Sequence, residues 1–418
     1  MLSSIRPLRH RNFALLWSAA LVSNVGSWMQ TVAVGVLVTA RTGQAGWTGL
    51  VAAAGFLPIG LLSPLGGVMA DRVNRRRWLF ATTIGETLFA CCLALLAALG
   101  RPSPGVVTLL VLGGGAMGAI GFPAYQAMMP DLVPAGELGA AISLSSAQFN
   151  LGRVVGPALA GLAIVAGGYT WAFAINAASF TAVLLALVAL RLPATSPTPG
   201  SHTLRRRLAD GAAATLRNPG ARFAVALISV VAVTASPFIA LVPAMAIDVF
   251  HAAAGGTSVL VSAQGVGAVS GALSITPLVA RFGRRKVLIG DLVVVVAGLV
   301  AYAEAPSLWA GAAALVVVGA GYIGVLAGAN TVVQLHAPTA MRGRMLGIYM
   351  MALGILYPLG AIAQGTLAGS GSGGLRLVSA AGAVLLGLAL LVALLCGWFP
   401  AVLDPPRSAT DTAAVSRE

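Results

Sequence analysis

Apolar stretches long enough to cross a bilayer as a helix, roughly 20 residues each, recur twelve times along the chain. They fall at about 13–40, 46–70, 78–99, 105–129, 138–166, 169–190, 222–248, 257–280, 286–304, 307–334, 344–369 and 374–399. Short loops separate most of them. The exception is 191–221, which holds Pro193, Pro197, Pro199 and the run Arg205-Arg206-Arg207. That composition predicts a linker carrying a short amphipathic helix on the membrane surface. The polar residues 401–418 predict a disordered tail on the same side. The pattern therefore predicts an all-α membrane protein with twelve transmembrane helices. Residues 1–190 form one six-helix bundle, 191–221 a linker and 222–400 a second bundle.

Composition agrees with lipid as the solvent. The chain is 58% hydrophobic and 9% charged, against roughly 25% charged in an average soluble domain. The first stretch is too long for the 7–15-residue core of a signal peptide, so it reads as an uncleaved first span. A net charge of +14 would suit nucleic acid if it formed a basic face, but it sits in loops and tails. Of the 25 lysines and arginines, only Arg153 lies well inside an apolar stretch, the rest falling in loops, tails or stretch ends, and only Arg41, Arg101 and Arg376 lie on the side opposite the N-terminus. Basic residues gather on the cytoplasmic side of membrane proteins. Both termini are thus expected in the cytoplasm of a bacterial inner (plasma) membrane, with no nucleic-acid partner.

The halves repeat. Residues 70–77, ADRVNRRR, correspond to residues 279–286, VARFGRRK, and Pro134 matches Pro338 in the next such loop of each half. Two pseudo-symmetric bundles related by an axis along the membrane normal carry a central site and work by alternating access.

Three groups of residues carry candidate chemistry. Gly67, Asp71, Arg72, Arg75 and Arg76 end the second span. Gly67 admits a close helix neighbour, Asp71 can face a positive helix N-terminus, and the arginines offer forked donors. Asp131 and Glu137 are the carboxylates available after the fourth span. Asp71 is expected to dock on the start of the eleventh span at Gly343 and Arg344, with Arg75 or Arg76 holding Asp131 or Glu137. The plain alternative is a positive-inside anchor, which needs neither Gly67 nor Asp71.

In the fifth span, Gly152, Gly156, Pro157 and Gly161 read either as a bending element or as close packing. Arg153 lies near mid-membrane. It faces a cavity or partner, or it caps carbonyls freed by Pro157. Glu86 is either a proton carrier or a carboxylate satisfied by its own partner. Asn24, Trp28, Gln30, Asn150, Gln264, Asn330 and Tyr357 are candidate cavity residues, each equally able to be interhelical glue. They suggest a mostly apolar cavity suited to small amphipathic organic molecules.

Two stretches, 113–118 and 319–324, fit G-x-G-x-x-G but follow no strand, so they read as packing surfaces rather than dinucleotide sites. Lys286, the one lysine, is flanked by Arg285 and Val287, which excludes a P-loop. Cys91, Cys92 and Cys396 have no metal-ligand spacing. No catalytic, metal or cofactor site is expected, and the chain reads as a non-enzyme.

The stretch from Gly67 to Arg76 resembles the signature loop of the major facilitator superfamily, and that from Gly152 to Gly161 resembles its exporter motif, with Ala160 where the pattern prefers glycine. The opening Arg11-Asn12-Phe13-Ala14-Leu15-Leu16-Trp17, with 121–124 (GFPA), 130–134 (PDLVP) and 342–344 (RGR), is similar to a branch of drug and siderophore exporters. The resemblance implies the major facilitator fold and proton-coupled efflux of small organic molecules by a monomeric antiporter, with multidrug resistance as a possible outcome. An importer or lipid flippase on the same scaffold is the alternative. Many proton antiporters of this type carry an acidic residue in the first span, where this chain has Asn24 and Gln30, so the coupling ion stays open.

Overall fold

The computed structural model describes residues 5–100, 102–190, 204–338, 341–369 and 371–399. The expected tail, 401–418, and the first part of the linker, 191–203, lie outside the described residues. The first four spans are Arg11–Thr42, Ala45–Arg72, Arg75–Ala98 and Pro104–Leu132. The next helical stretch, Leu138–Ala189, has 52 residues. As one straight rod it would be about 78 Å long at 1.5 Å per residue, more than twice the roughly 30 Å hydrocarbon thickness. It is two spans. The helix breaks at Gly167 and Gly168, and Gly168 takes φ +71°, a region that glycine enters without a Cβ clash. The fifth span is therefore 138–166 and the sixth 169–189.

The remaining spans are Pro219–Val249, Ala253–Phe282, Arg284–Ala303, Leu308–His336, Arg342–Ala368 and Ser372–Leu395. That makes twelve crossings among the described residues. Polar side chains at the loops set the starts. Asn74 accepts from the Arg77 amide at 3.1 Å to begin the third span, Asn218 caps the seventh on Ala221 at 3.0 Å, and Ser307 caps the tenth on Ala310 at 3.3 Å. Each satisfies an amide that the first helical turn leaves unpaired. The linker does contain a helix, Leu204–Arg217.

Large apolar side chains point outward, among them Val165 at 83% exposure, Leu367 at 78% and Leu273 at 75%. In water this would be an aggregation surface; in hydrocarbon it is the ordinary solvent face. Inside, one apolar cluster gathers Ile228, Leu292, Leu315, Val332, Tyr349 and Leu386 from the last six spans. Two others centre on Phe13, Met128 and Leu187 and on Met29, Leu93 and Phe173 of the first six.

Lipid gives helices no hydrophobic drive to associate, so small residues and close van der Waals contact join them. The second and eleventh spans touch backbone to backbone. A Cβ added at Gly60 would lie 2.6 Å from the Gly354 carbonyl carbon, and one at Gly365 would lie 2.7 Å from the Ala45 carbonyl oxygen. Gly49 packs in the same way on the Ala361 carbonyl. Nearby, Gly35 receives the Pro243 ring of the seventh span, the Thr39 and Thr48 hydroxyls lie 2.7 Å apart, and the Ala45 amide donates to the Gly369 carbonyl at 3.3 Å.

All these contacts lie in the middle of the spans or at the end away from the arginine-rich loops. Towards those loops the seam opens. A Cβ at Gly67, Gly343 or Gly347 would meet nothing within 4 Å. The reading of Gly67 as a close-approach position is thus corrected; its neighbour Gly66 makes the tight contact, against Ile120 of the fourth span.

The contrast sets two opposite expectations for one substitution. Gly60→Ala overpacks the seam, at a cost of roughly 1–3 kcal/mol, and lowers the melting midpoint of the detergent-solubilised protein by a few degrees. Gly347→Ala meets open space, gains about 1 kcal/mol of helix propensity, and leaves that midpoint unchanged or higher.

Candidate functional site

A cavity of about 690 Å³ lies between the first six and the last six spans. Its walls come from the first, third, fourth, fifth, sixth, tenth and eleventh spans, each through the portion nearest the arginine-rich loops: Leu16 to Ser27, Leu79 to Glu86, Ile142 to Arg153, Ile323 to Asn330 and Tyr349 to Leu353 among them. The lining is largely apolar and aromatic, with Phe122, Tyr125, Phe149 and Tyr349. Polar side chains interrupt it at Ser23, Asn24, Ser27, Thr83, Glu86, Gln126, Ser145, Ser146, Gln148, Asn150, Arg153 and Asn330. A concave space with apolar and aromatic walls and polar groups set among them is what small-molecule sites look like.

Of the expected cavity residues, Asn24, Glu86, Asn150, Arg153 and Asn330 reach the lining. Trp28 stands behind it, with the Arg153 guanidinium 5.5 Å over its ring and the Phe149 ring edge-on at 5.8 Å. The other three are corrected. The Gln30 side-chain oxygen accepts from Asn176 of the sixth span at 2.8 Å, which makes it an interhelical tie. Tyr357 is buried edge-on against Phe56 at 5.2 Å. Gln264 is buried on the eighth span, where its backbone carbonyl lies against Gly319. A helix's sequence period shows which residues share a face, and not which neighbour that face meets.

Arg153 is 8% exposed, and its Nε makes no hydrogen bond. The alternative in which it caps carbonyls freed by Pro157 finds no such bond. Gln148 is 2% exposed; its side-chain oxygen receives the Tyr125 hydroxyl at 3.5 Å, while its Nε2 is unpaired. Glu86 sits against Gly118 of the fourth span, where an added Cβ would lie 2.9 Å from Oε1. Glu86 and Arg153 share the cavity without pairing; the ion pairs recorded among the described residues lie elsewhere.

The glycines of the fifth-span motif are contact points. Gly152 packs on Asn24, Gly156 on Trp28 and Val25, and Gly161 on Ser258 of the eighth span. Backbone dihedrals stay helical through Pro157 and depart only at Gly167 and Gly168. The close-packing alternative for this motif is therefore the one the contacts support, while Gly167 and Gly168 mark the boundary between the fifth and sixth spans.

At the arginine-rich end, Arg75 Nη1 donates to the Ala127 carbonyl at 2.9 Å and reaches Asp131 Oδ2 at 3.4 Å. Arg76 donates instead to the Val188 carbonyl at 2.8 Å, closing the end of the sixth span. Glu137 pairs with His10 Nε2 at 3.0 Å, so it is not held by Arg75 or Arg76. Arg72 is exposed and Asp71 half-buried. Arg344 donates to Asp210 of the linker helix at 3.2 Å, and Gly211 of that helix lies against the Arg344 backbone. The linker helix thus occupies the start of the eleventh span, next to where Asp71 was expected to dock.

Asp291, in the first half of the ninth span, is a further carboxylate that the sequence analysis does not single out. Its Oδ2 is buried and unpaired, and the side chain packs on Gly324 of the tenth span. Among the described residues no group of three or more His, Cys, Asp and Glu could hold a metal ion.

Twelve crossings, an apolar exterior and a cavity between the first and last six spans define a multi-pass membrane protein of the transporter type. Residues 2–402 match the transmembrane secretion effector family, and the chain belongs to that family of the major facilitator superfamily. It is 31% identical over 270 residues to the enterobactin exporter EntS of Citrobacter koseri, and 31% identical over 269 residues to that of Escherichia coli O157:H7. Each match spans 63% of this chain and 63% of the exporter. Among solved structures, the fold is similar to a bacterial homologue of the human lysosomal transporter Spinster in an inward-facing, unoccupied conformation, with TM-score 0.76, 14% identity, and coverage of 95% of this chain and 99% of that one. It is also similar to the nucleoside transporter NupG, with TM-score 0.71, 14% identity, and coverage of 92% and 99%. At such identities these structures speak to fold alone.

Accessibility separates the two ends of the seam. Cys91, Cys92 and Cys396 are exposed and are first replaced by serine. On that background Ser146→Cys, in the cavity wall, reacts with a maleimide in the folded protein. Thr39→Cys, at a position 1% exposed, reacts only after denaturation. Equal labelling of both would contradict the sealed end.

Proposed function

We propose that this chain is a secondary exporter that moves small amphipathic organic molecules out of the cytoplasm by alternating access, coupled to proton entry. One observation carries the reading: a cavity of about 690 Å³ lies between two sets of six spans, opposite a glycine-packed seam. The two bundles, 1–190 and 222–400, are the rocking units, working within one monomer. Basic loops lie on the cytoplasmic side by the positive-inside rule, so the cavity portion of each span is the cytoplasmic portion and both termini are cytoplasmic. The state described is then inward-facing and loads from the cytoplasm. The likeness to enterobactin exporters supports an organic cargo and an outward direction.

Glu86 is the proton carrier in this reading, because it is the carboxylate that lines the cavity. Gly67, Asp71, Arg72 and Arg75 with Asp131, Gly343 and Arg344 form the switch. The Arg75–Asp131 pair is about one-third exposed on each side, and exposed pairs contribute roughly 0–1 kcal/mol. The pair joins two spans of one bundle, so it shapes that end of the bundle, and the contact that changes between states is the one Asp71 makes across to the second bundle. In the outward-facing state the open positions Gly67 and Gly343 come together, and Asp71 docks on the start of the eleventh span.

Everted membrane vesicles test direction and coupling together. An imposed gradient, acid inside, should drive uptake of a fluorescent amphipathic drug. Glu86→Gln should reduce gradient-driven uptake at least tenfold while leaving downhill exchange. Uptake indifferent to the gradient would sink the coupling. Asp71→Lys should slow transport several-fold and increase labelling of Ser146→Cys; unchanged transport would remove Asp71 from the switch.

A further inference from the structure

Within the proposed exporter, on which this step rests, the cavity has a chemical preference written in its unpaired groups. We infer that Arg153, with Gln148, is an anchor for the acidic group of an aromatic anion, and that the transported class is anionic rather than cationic or neutral.

The argument begins with the arginine. A charge within a span is costly and is held by a partner or a cavity. Arg153 has no carboxylate partner among the described residues, and its Nε makes no hydrogen bond. What it has is a surface: the guanidinium carbon lies 5.5 Å from the centroid of the Trp28 ring. An aromatic face attracts the cation without consuming its N–H donors, which stay available to a ligand. Phe149, edge-on to Trp28 at 5.8 Å, braces that ring and also lines the cavity.

The second donor points the same way. Gln148 lines the same wall. Its carbonyl oxygen is engaged by Tyr125, while Nε2 is buried and unpaired. A buried donor without an acceptor costs free energy, and here two occur five residues apart on one helix. A ligand that supplies acceptors removes both penalties at once, and a carboxylate matches the guanidinium edge in geometry as well as charge. A neutral ligand can accept from these donors but without charge assistance, and a cation adds repulsion. Phe149 and the Phe122–Tyr125 stack, with centroids 6.2 Å apart, offer flat apolar surface to an aromatic body.

Three ligands of one shape decide the matter: 1-naphthoate, its methyl ester and 1-naphthylmethylammonium. A ligand that binds the folded state raises its melting midpoint in proportion to ln(1 + [L]/Kd). The full-length protein in detergent should be stabilised by naphthoate, with at least tenfold weaker apparent binding of the ester and the ammonium. Arg153→Gln should abolish the difference between naphthoate and ester. Arg153→Lys, which keeps charge but loses the planar fork, should retain a reduced preference and guards against misfolding of the first variant. Gln148→Leu should weaken naphthoate several-fold and leave the ester unchanged. No anion preference in the unsubstituted protein, whether all three bind alike, none binds or the ammonium binds best, overturns the inference. So does a preference that survives Arg153→Gln. Gradient-driven uptake of a cationic or neutral drug alongside such a result would leave the exporter reading standing and remove only the anion class.

Discussion

The second and eleventh spans approach until their backbones touch, and much of the molecule follows from that. In hydrocarbon no water is released when helices meet, so association rests on how closely atoms fit. Gly49, Gly60, Gly354 and Gly365 remove the side chains that would hold the two backbones apart. Because these glycines lie in the middle and at one end of the spans, contact is strong there and absent at the other end. Towards the other end the same two helices part, and Gly67, Gly343 and Gly347 meet nothing within 4 Å. Gly35 against Pro243 and Gly161 against Ser258 repeat the device at two further crossings.

A second constraint is that lipid supplies no hydrogen bonds to a broken backbone. Each irregularity in the described spans has a local remedy. The seventh span breaks near Ala235, and Gln364 of the eleventh donates to the freed carbonyls of Val233 and Thr234 at 3.0 and 2.8 Å. Arg376 closes the end of the ninth span through the Ala303 and Ala305 carbonyls, and Asn218 closes the tenth through the His336 carbonyl at 2.8 Å. Polar side chains in this protein are therefore mostly structural. Buried groups without a partner also occur at Asp248, Thr257, Gln264, Asp291 and Tyr302, but of the unpaired set only Arg153 and Gln148 belong to residues that line the cavity.

Spans, loop charges and the two-fold repeat were legible because each depends on composition over many residues. The break between the fifth and sixth spans was legible too, since Gly167-Gly168 interrupts an apolar run too long for one crossing. Individual partners were not. Gln30 and Asn24 sit on one helix six residues apart, yet one ties to Asn176 and the other lines the cavity. Gly66 and Gly67 are adjacent, yet only Gly66 is a contact. Those distinctions depend on helix rotation and on neighbours remote in sequence. Likewise Arg344 meets Asp210 because the linker helix folds back over it, and nothing in the pattern of either segment encodes that meeting.

The two G-x-G-x-x-G stretches bring these strands together. Both are packing surfaces, and in each the last glycine faces a carboxylate of the preceding span: Gly118 faces Glu86, and Gly324 faces Asp291. Each glycine makes room for an acid of the neighbouring span, although the two acids do not hold matching places: in the register of 70–77 with 279–286, Glu86 corresponds to Val295. The surroundings differ. Glu86 opens onto the cavity that Arg153 shares, whereas the Asp291 Oδ2 is buried away from it without a partner. The loop signature differs in the same sense, with Asp71 in the first half and Ala280 at the matching place in the second. Pseudo-symmetry therefore describes the scaffold, while the exposed chemistry has gathered in the first half. A cavity between two similar bundles can in this way present an acid and an arginine from one side and an apolar wall, Ile323, Leu326 and Leu353, from the other.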